Sequence, residues 1–289
     1  MTDKPLLRNQ VGGILYLTLN NKDRMNSLSM SLLSALKSSF EDIKDNPTVK
    51  VVVIRSEGPA FSSGHDLNEL VNRDTESYSR LFSACTSVME AIRLSPKPVI
   101  AEVQGIATAA GCQLVATCDL AIAAESALFS TPGVQIGLFC TTPGVAVSRT
   151  IHVKKAMEML LTGGTITAQE AVMCGLINQA VEIDKLKNEV ELLAQKICAA
   201  SSSTIAIGKS AFYRQREMSI PDAYQMAEKV MVENLFLGCP RGHNGFLREA
   251  QTALDHITNL GSGVCHAFAY SHIFILIQFS QATATADQQ

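Results

Sequence analysis

Apolar residues recur with a period of two over residues 13–20 (GILYLTLN) and give way to Asn20-Asn21, which predicts a strand running into a turn. Leu32, Leu33, Leu36, Phe40 and Ile43 follow at helical spacing within residues 29–45, and Asn46-Pro47 closes that helix. Residues 50–55 (KVVVIR) form a continuous apolar run, as expected of a strand buried on both faces. Residues 56–64 read as loop, with Gly58-Pro59 as the turn. An amphipathic helix is predicted over 75–95, stopped by Pro96 and Pro98, and a short strand over 99–103. Residues 111–117 read as helix, and 120–124 and 127–130 as extended.

Beyond about residue 143 the pattern is mostly helical, over 143–151, 154–162, 167–174, 184–200, 203–217 and 221–236. Strands alternating with helices, then helices alone, describe an α/β core carrying a helical C-terminal layer, one domain over residues 10–237. Residues 238–289 form a divergent tail. Gly238-Cys239-Pro240-Arg241-Gly242 breaks the helical run, 246–257 reads as a further helix, and Gly261-Ser262-Gly263 interrupts again. Residues 264–279 (VCHAFAYSHIFILIQF) are apolar and uncharged. They are short for a membrane span and carry His266, His272 and Gln278, so a buried strand is expected there and no membrane span.

Composition narrows the function classes. The 289 residues hold 24 Lys and Arg against 27 Asp and Glu, a net charge of −3, which argues against a nucleic-acid or membrane-surface binder. With 47% hydrophobic and 18% charged residues the chain has ample material for a core. Aromatics are 6% and Trp is absent, so that core is aliphatic. Eight cysteines without a C-x-x-C pair read as reduced thiols, and six histidines without H-x-x-x-H spacing give no metal site. The first ten residues resemble neither a secretory signal nor an Arg- and Ser-rich transit peptide.

Two segments are candidates for chemistry. Ala60-Phe61-Ser62-Ser63-Gly64-His65-Asp66-Leu67 is a small-residue loop between a buried strand and a helix. Gln104-Gly105-Ile106-Ala107-Thr108-Ala109-Ala110-Gly111-Cys112-Gln113 leads from a strand through Gly and Ala into another helix. Small side chains let a ligand approach backbone N–H donors, and a helix N-terminus favours developing negative charge. Taken singly, each segment is better explained by close packing at a strand–helix junction.

Together, and in this order, they resemble the crotonase (enoyl-CoA hydratase/isomerase) superfamily. Asn21-Lys22-Asp23-Arg24-Met25-Asn26 is similar to its N-R-P-x-x-x-N segment, and Ala60 through Leu67 to its A-F-x-x-G-x-D-L loop. Gly105 through Asp119 is similar to its G-x-x-x-G-G-G-x-x-L…C-D signature. The segments around Ala156, Thr167 and Gly175 follow its A-x-E-x-x-L-T-G…A-x-E-A…G-L-V run, so the resemblance covers roughly residues 10–236. It implies a ClpP-like ββα spiral core, acyl-CoA as ligand, no further cofactor, a homotrimer or hexamer, and a place in mitochondrial fatty-acid metabolism. It places the thioester oxygen between the backbone N–H groups of His65 and Ala110, an oxyanion hole. Ser63, Gly64, Asp66 and Leu67 belong to the same binding loop, and Arg24 matches a position that contacts CoA phosphate.

The departures are as informative. A hydratase of this superfamily uses two glutamates, and residue-by-residue matching puts the first on Gln113 and the second on Gly133. An amide does not take up a proton as a carboxyl does, and glycine has no side chain. General acid–base catalysis is worth about 10²–10⁴-fold per group, so efficient hydration is not expected. The expectation is an acyl-CoA-binding crotonase fold without hydratase activity. Two alternatives are a decarboxylase or thioester hydrolase that uses His65 with the two N–H donors, and a regulatory subunit of a related oligomer. Cys140 reads as an inert thiol sooner than as a nucleophile, since no base is placed near it by sequence, Glu102 and Asp119 as structural or interfacial, and Tyr213 and Tyr224 as packing residues on helices. After about Leu237 the chain leaves the superfamily's usual ending, consistent with an altered C-terminus.

Overall fold

Pairs of strands, each pair followed by a helix, wind up the first part of the chain. The structure, a computed structural model, describes residues 4–237 and 251–252, and the chain divides into two compact units between Glu217 and Met218. The first unit opens with β1 (Leu6–Val11), β2 (Ile14–Leu19) and α1 (Met30–Ile43). The repeating turns follow: β3 (Val51–Ser56), β4 (Ala60–Ser62) and α2 (Thr75–Leu94), then β5 (Val99–Val103), β6 (Ile106–Thr108) and α3 (Ala110–Thr117). The third is β7 (Leu120–Ala124) and β8 (Leu128–Ser130), continued by a 3-10 turn at Pro132–Ile136 and α4 (Thr141–Thr150). Then come α5 (Val153–Thr162), β9 (Thr165–Thr167), α6 (Ala168–Cys174), β10 (Gln179–Val181), α7 (Ile183–Cys198) and α8 (Ser202–Gln215).

The first strand of each pair joins a six-stranded sheet of order β1-β2-β3-β5-β7-β10, parallel except for β1 on β2. The second joins a four-stranded sheet, β4-β6-β8-β9, parallel except for β9. This alternation is the ββα spiral. Parallel strands covered by helices on both faces bury their side chains, which is why residues 51–54 are an unbroken apolar run. Leu15, Leu17, Val52, Ile54, Val99 and Ala101 face a core shared with α1, α2 and α3. Ile14, Tyr16, Val51, Val53 and Ile100 face the other way, onto Leu186, Val190 and Ala194 of α7.

Short side-chain caps set where helices begin. The Ser29 hydroxyl accepts from the Leu32 N–H, Asp74 accepts from Ser77 N–H at 2.7 Å, and Thr167 with Glu170 forms a reciprocal capping box. α8 is held by a buried polar hub. Lys209 Nζ donates to Asp119 Oδ2 at 2.6 Å and to the carbonyls of Ile92 and Lys97 at 3.0 Å. Tyr213 and the Val99 N–H donate to the two oxygens of the same Asp119, both at 2.8 Å. Burial pushes the Lys209 ammonium below its ordinary pKa, and the Asp119 carboxylate pulls it back.

The helices of the first unit agree with the periodicity to within a few residues. The edge strand β1 and several of the shortest strands do not follow it. β1 carries one buried residue among six, so its polar sequence gives no apolar alternation. β4, β6, β9 and β10 are three residues each, below the length at which a period is visible. Tyr213, expected only to pack, is a hydrogen-bond donor to Asp119, which is structural as expected. The second unit contains α9 (Ile220–Leu237), whose start is capped by Ser219 accepting from the Asp222 N–H. The helix expected at 246–257 and the strand expected at 264–279 lie outside the described residues, apart from 251–252, which are helical.

Candidate active site

The two small-residue segments meet because three glycines let backbone touch backbone. A Cβ on Gly105 would collide with the Pro59 carbonyl, and one on Gly111 with the Ser62 carbonyl. Gly64, at φ +89°, faces the second segment directly: its Cβ would lie 2.9 Å from Ala109 Cβ and 3.2 Å from the Ala110 nitrogen. The close packing these glycines allow is thus the same feature that sets His65 beside the start of α3.

Asn26 fixes the first segment from behind. Fully buried, it donates to the carbonyls of Glu57 and Ala60 at 2.7 and 2.8 Å and accepts from the Asn21 N–H. The Ser62 hydroxyl donates to the Asn26 carbonyl, and Leu28 N–H donates to the Gly64 carbonyl at 2.7 Å. In the second segment Ala109 holds φ +51° and ψ −119°, a conformation that L side chains rarely adopt. Its N–H donates to the Ser130 carbonyl at 2.9 Å, which locks the turn. Ala110 then opens α3 with its N–H unspent. Among the described residues neither the Ala110 N–H nor the His65 N–H donates to any group. Strain of this kind costs about 1–3 kcal/mol. Ala109→Gly is therefore expected to raise the unfolding free energy by about 1 kcal/mol, read from urea denaturation midpoints.

A cavity of about 850 Å³ opens over these two N–H groups. Its wall is largely apolar, with Leu70, Phe82, Leu138 and Phe139, and contains Arg24, Ser63, His65, Asp66, Leu67, Ala110 and Gly133 of the expected site. Gly64 and Gln113 do not line it. Gly64 supports the wall from behind. Gln113 is 5% exposed on α3, with its Oε1 unpartnered.

Gly133 reaches the cavity but has no room for a side chain. The 3-10 turn ends at Gly137, φ +80°, and doubles back so that Leu138 N–H donates to the Gly133 carbonyl at 2.9 Å. The Leu138 carbonyl then stands where a Cβ on Gly133 would be, and Cys140 Sγ would be 2.8 Å from it. The space a side chain at 133 would need is therefore filled by backbone.

The polar groups of the cavity are few. Arg24 Nη1 pairs with Asp66 Oδ2 at 2.9 Å, with the guanidinium more than half exposed. Burial raises the Asp66 pKa, and bonds from Asn68 and Arg24 outweigh it and hold the carboxyl below its usual range. His65 stacks edge-on against Phe82 at 5.4 Å, and neither ring nitrogen has a hydrogen-bond partner. Burial lowers its pKa, offset in part by the nearby Leu28 carbonyl, so the imidazole is neutral at neutral pH. Ser27, overlooked in the sequence, lines the cavity at 5% exposure with its hydroxyl unpartnered. A buried orphan of this kind costs about 1–3 kcal/mol until it is bonded. The only sequence signal for Ser27 is that it directly follows Asn26.

Among the described residues no cluster of His, Cys, Asp and Glu could hold a metal, and no helix is long and apolar enough to cross a membrane. Glu102 is largely buried on β5, its Oε2 unpartnered and its pKa raised by that burial, and it does not line the cavity.

Residues 9–247 match the model of the family described as enoyl-CoA hydratase/isomerase. The chain is 46% identical over 249 residues to the Xenopus laevis protein named enoyl-CoA hydratase domain-containing protein 3, mitochondrial, covering 86% of this chain and 85% of that one. The human protein of the same name is 42% identical over 255 residues, covering 88% and 84%. A crystal structure of an enoyl-CoA hydratase from Mycobacterium smegmatis superposes with a TM-score of 0.82 at 44% identity, covering 85% of this chain and 96% of that one. That of human enoyl coenzyme A hydratase domain-containing protein 3 gives 0.80 at 40% identity, covering 90% and 100%. Matched along most of its length in both sequence and spiral architecture, the chain belongs to the enoyl-CoA hydratase/isomerase family, the crotonase superfamily.

Proposed function

We propose that this protein binds an acyl-CoA thioester in the cavity between His65 and Ala110 and does not hydrate it. The observation that carries the reading is the pairing of two unspent backbone N–H groups with an acid–base position filled by the Leu138 carbonyl. The His65 and Ala110 N–H groups donate to the thioester oxygen, with the dipole of α3 behind Ala110. Donors fixed by the Gly64–Ala109 contact need no reorganisation as charge grows on that oxygen. The apolar wall of Leu70, Phe82 and Leu138 takes the acyl portion and excludes water. Arg24, exposed at one edge, offers a guanidinium to a CoA phosphate in exchange for part of its pairing with Asp66.

What is missing is the pair of glutamates that a hydratase of this superfamily uses on water and substrate. Gln113 lies outside the cavity wall and carries an amide, and Gly133 carries nothing. Residence in the mitochondrion and assembly as a trimer or hexamer belong to the same reading. The first is supported by the names of the relatives, and the second by apolar residues exposed on α5, Val153, Met157 and Leu161. Calorimetric titration with butyryl-CoA tests the binding role. One saturable site per chain is expected, weakened about tenfold by Arg24→Ala through the lost phosphate contact. Absence of any binding heat across a range of temperatures would reject it.

A further inference from the structure

The cavity holds one reactive side chain that the binding role leaves unused. Its wall carries four titratable side chains, Arg24, His65, Asp66 and Cys140; the first and third are bonded to each other, which leaves an imidazole and a thiol. Cys140 lies directly ahead of α4, and its sulfur would be 2.8 Å from a Cβ on Gly133. The thiol therefore stands beside the position that the resemblance assigns to a hydratase's second glutamate. Burial raises its pKa, and the Gly133 backbone N–H acts in the opposite direction.

Independent features of the same wall point to a polar ligand reaching it. Ser27 is 5% exposed and its hydroxyl has no partner. The two ring nitrogens of His65 are unpartnered too, and the His65 and Ala110 N–H groups are unspent. These groups suit a ligand with a carbonyl and an adjacent electrophilic carbon, a pattern that a saturated chain does not use in full.

We infer that Cys140 adds to the β-carbon of an α,β-unsaturated acyl thioester bound in this cavity, capturing it as a thioether instead of hydrating it. The inference rests on the acyl-CoA reading. The sulfur–carbon bond forms at C3 as the C2–C3 π bond breaks, and that electron pair moves onto the thioester oxygen between the two N–H groups. The thiol proton passes to the neutral His65 imidazole and from there to C2 as the enolate collapses. Nothing leaves, nothing is oxidised or reduced, and the CoA thioester stays intact.

Intact-mass spectrometry of the full chain incubated with crotonyl-CoA tests this. Wild type is expected to gain the mass of one whole crotonyl-CoA, mapped by peptide analysis to Cys140. Cys140→Ser is expected to gain nothing, and wild type to gain nothing from butyryl-CoA, which lacks the double bond. Gain of the acyl group alone would mean thioester exchange and overturn the addition, as would an adduct on another cysteine. No gain by a protein that still binds butyryl-CoA in the calorimeter would overturn it while leaving the binding role standing. If butyryl-CoA does not bind either, the acyl-CoA reading fails first and the addition with it.

Discussion

Gly133→Glu, alone or combined with Gln113→Glu, is expected to leave crotonyl-CoA hydration at background and to destabilise the fold by about 3 kcal/mol or more. The naive expectation is the reverse, because these substitutions restore the residue types of a hydratase. The geometry decides against it. Any side chain at 133 collides with the Leu138 carbonyl, a backbone atom held in place by the Leu138 N–H to Gly133 carbonyl bond. The turn at Gly137 is held from outside as well, since Gln135 donates to the Thr162 carbonyl at 3.1 Å. Room for the carboxyl requires moving the segment that carries Leu138 and Cys140. Overpacking against backbone is relieved less easily than against a flexible side chain, hence the upper end of the usual range. Urea denaturation with an unchanged m-value, alongside an enoyl absorbance assay, separates lost stability from lost chemistry. A stable Gly133→Glu protein that hydrates crotonyl-CoA would show that the segment yields.

Asp119→Ala is expected to cost about 3–5 kcal/mol, or to prevent folding. Among the described residues Asp119 is the only carboxylate bonded to Lys209, whose side chain is 8% exposed, and its removal leaves a buried ammonium uncompensated. The same change strands the Val99 N–H at the start of β5 and the Tyr213 hydroxyl. Tyr213→Phe removes one neutral donor and is expected to cost about 1 kcal/mol. The double variant Asp119→Ala with Lys209→Met is expected to recover part of the loss, because no charge is then left buried. Equal losses in the single and double variants would contradict this coupling.

Much of this molecule is legible in its sequence, for physical reasons that can be named. α1 and α2 are long enough for a 3.6-residue period to repeat, and Ser29, Asp74 and the prolines after α2 mark their ends. β3 is read correctly because burial on both faces leaves no polar position to confuse it. β1 is missed because an edge strand needs backbone pairing and little burial, and apolar patterning carries no record of backbone pairing.

For the candidate site the division is sharper. At 113 and 133 the sequence itself carries Gln and Gly where the resemblance leads one to expect glutamates. Their surroundings are invisible there: that Gln113 lies behind the cavity wall, and that Leu138 and Cys140 crowd Gly133, depend on how the chain doubles back at Gly137. Ala109 is a similar case. An alanine in a Gly-rich signature looks conservative, yet at φ +51° it is strained, and only the backbone reveals it. Ser27 and Phe82 approach His65 from segments far apart in the chain, which no local pattern connects.

The most direct test of the central claim is multiple-turnover hydration of crotonyl-CoA by the full chain, followed as loss of enoyl absorbance at substrate in large excess over protein. The structure predicts that absorbance falls by no more than one equivalent per chain and then stays level, since the cavity has donors for the oxygen while Gln113 and Gly133 supply no carboxyl and the Asp66 carboxyl is paired with Arg24. Continuous loss over many equivalents, with 3-hydroxybutyryl-CoA as product, would contradict it.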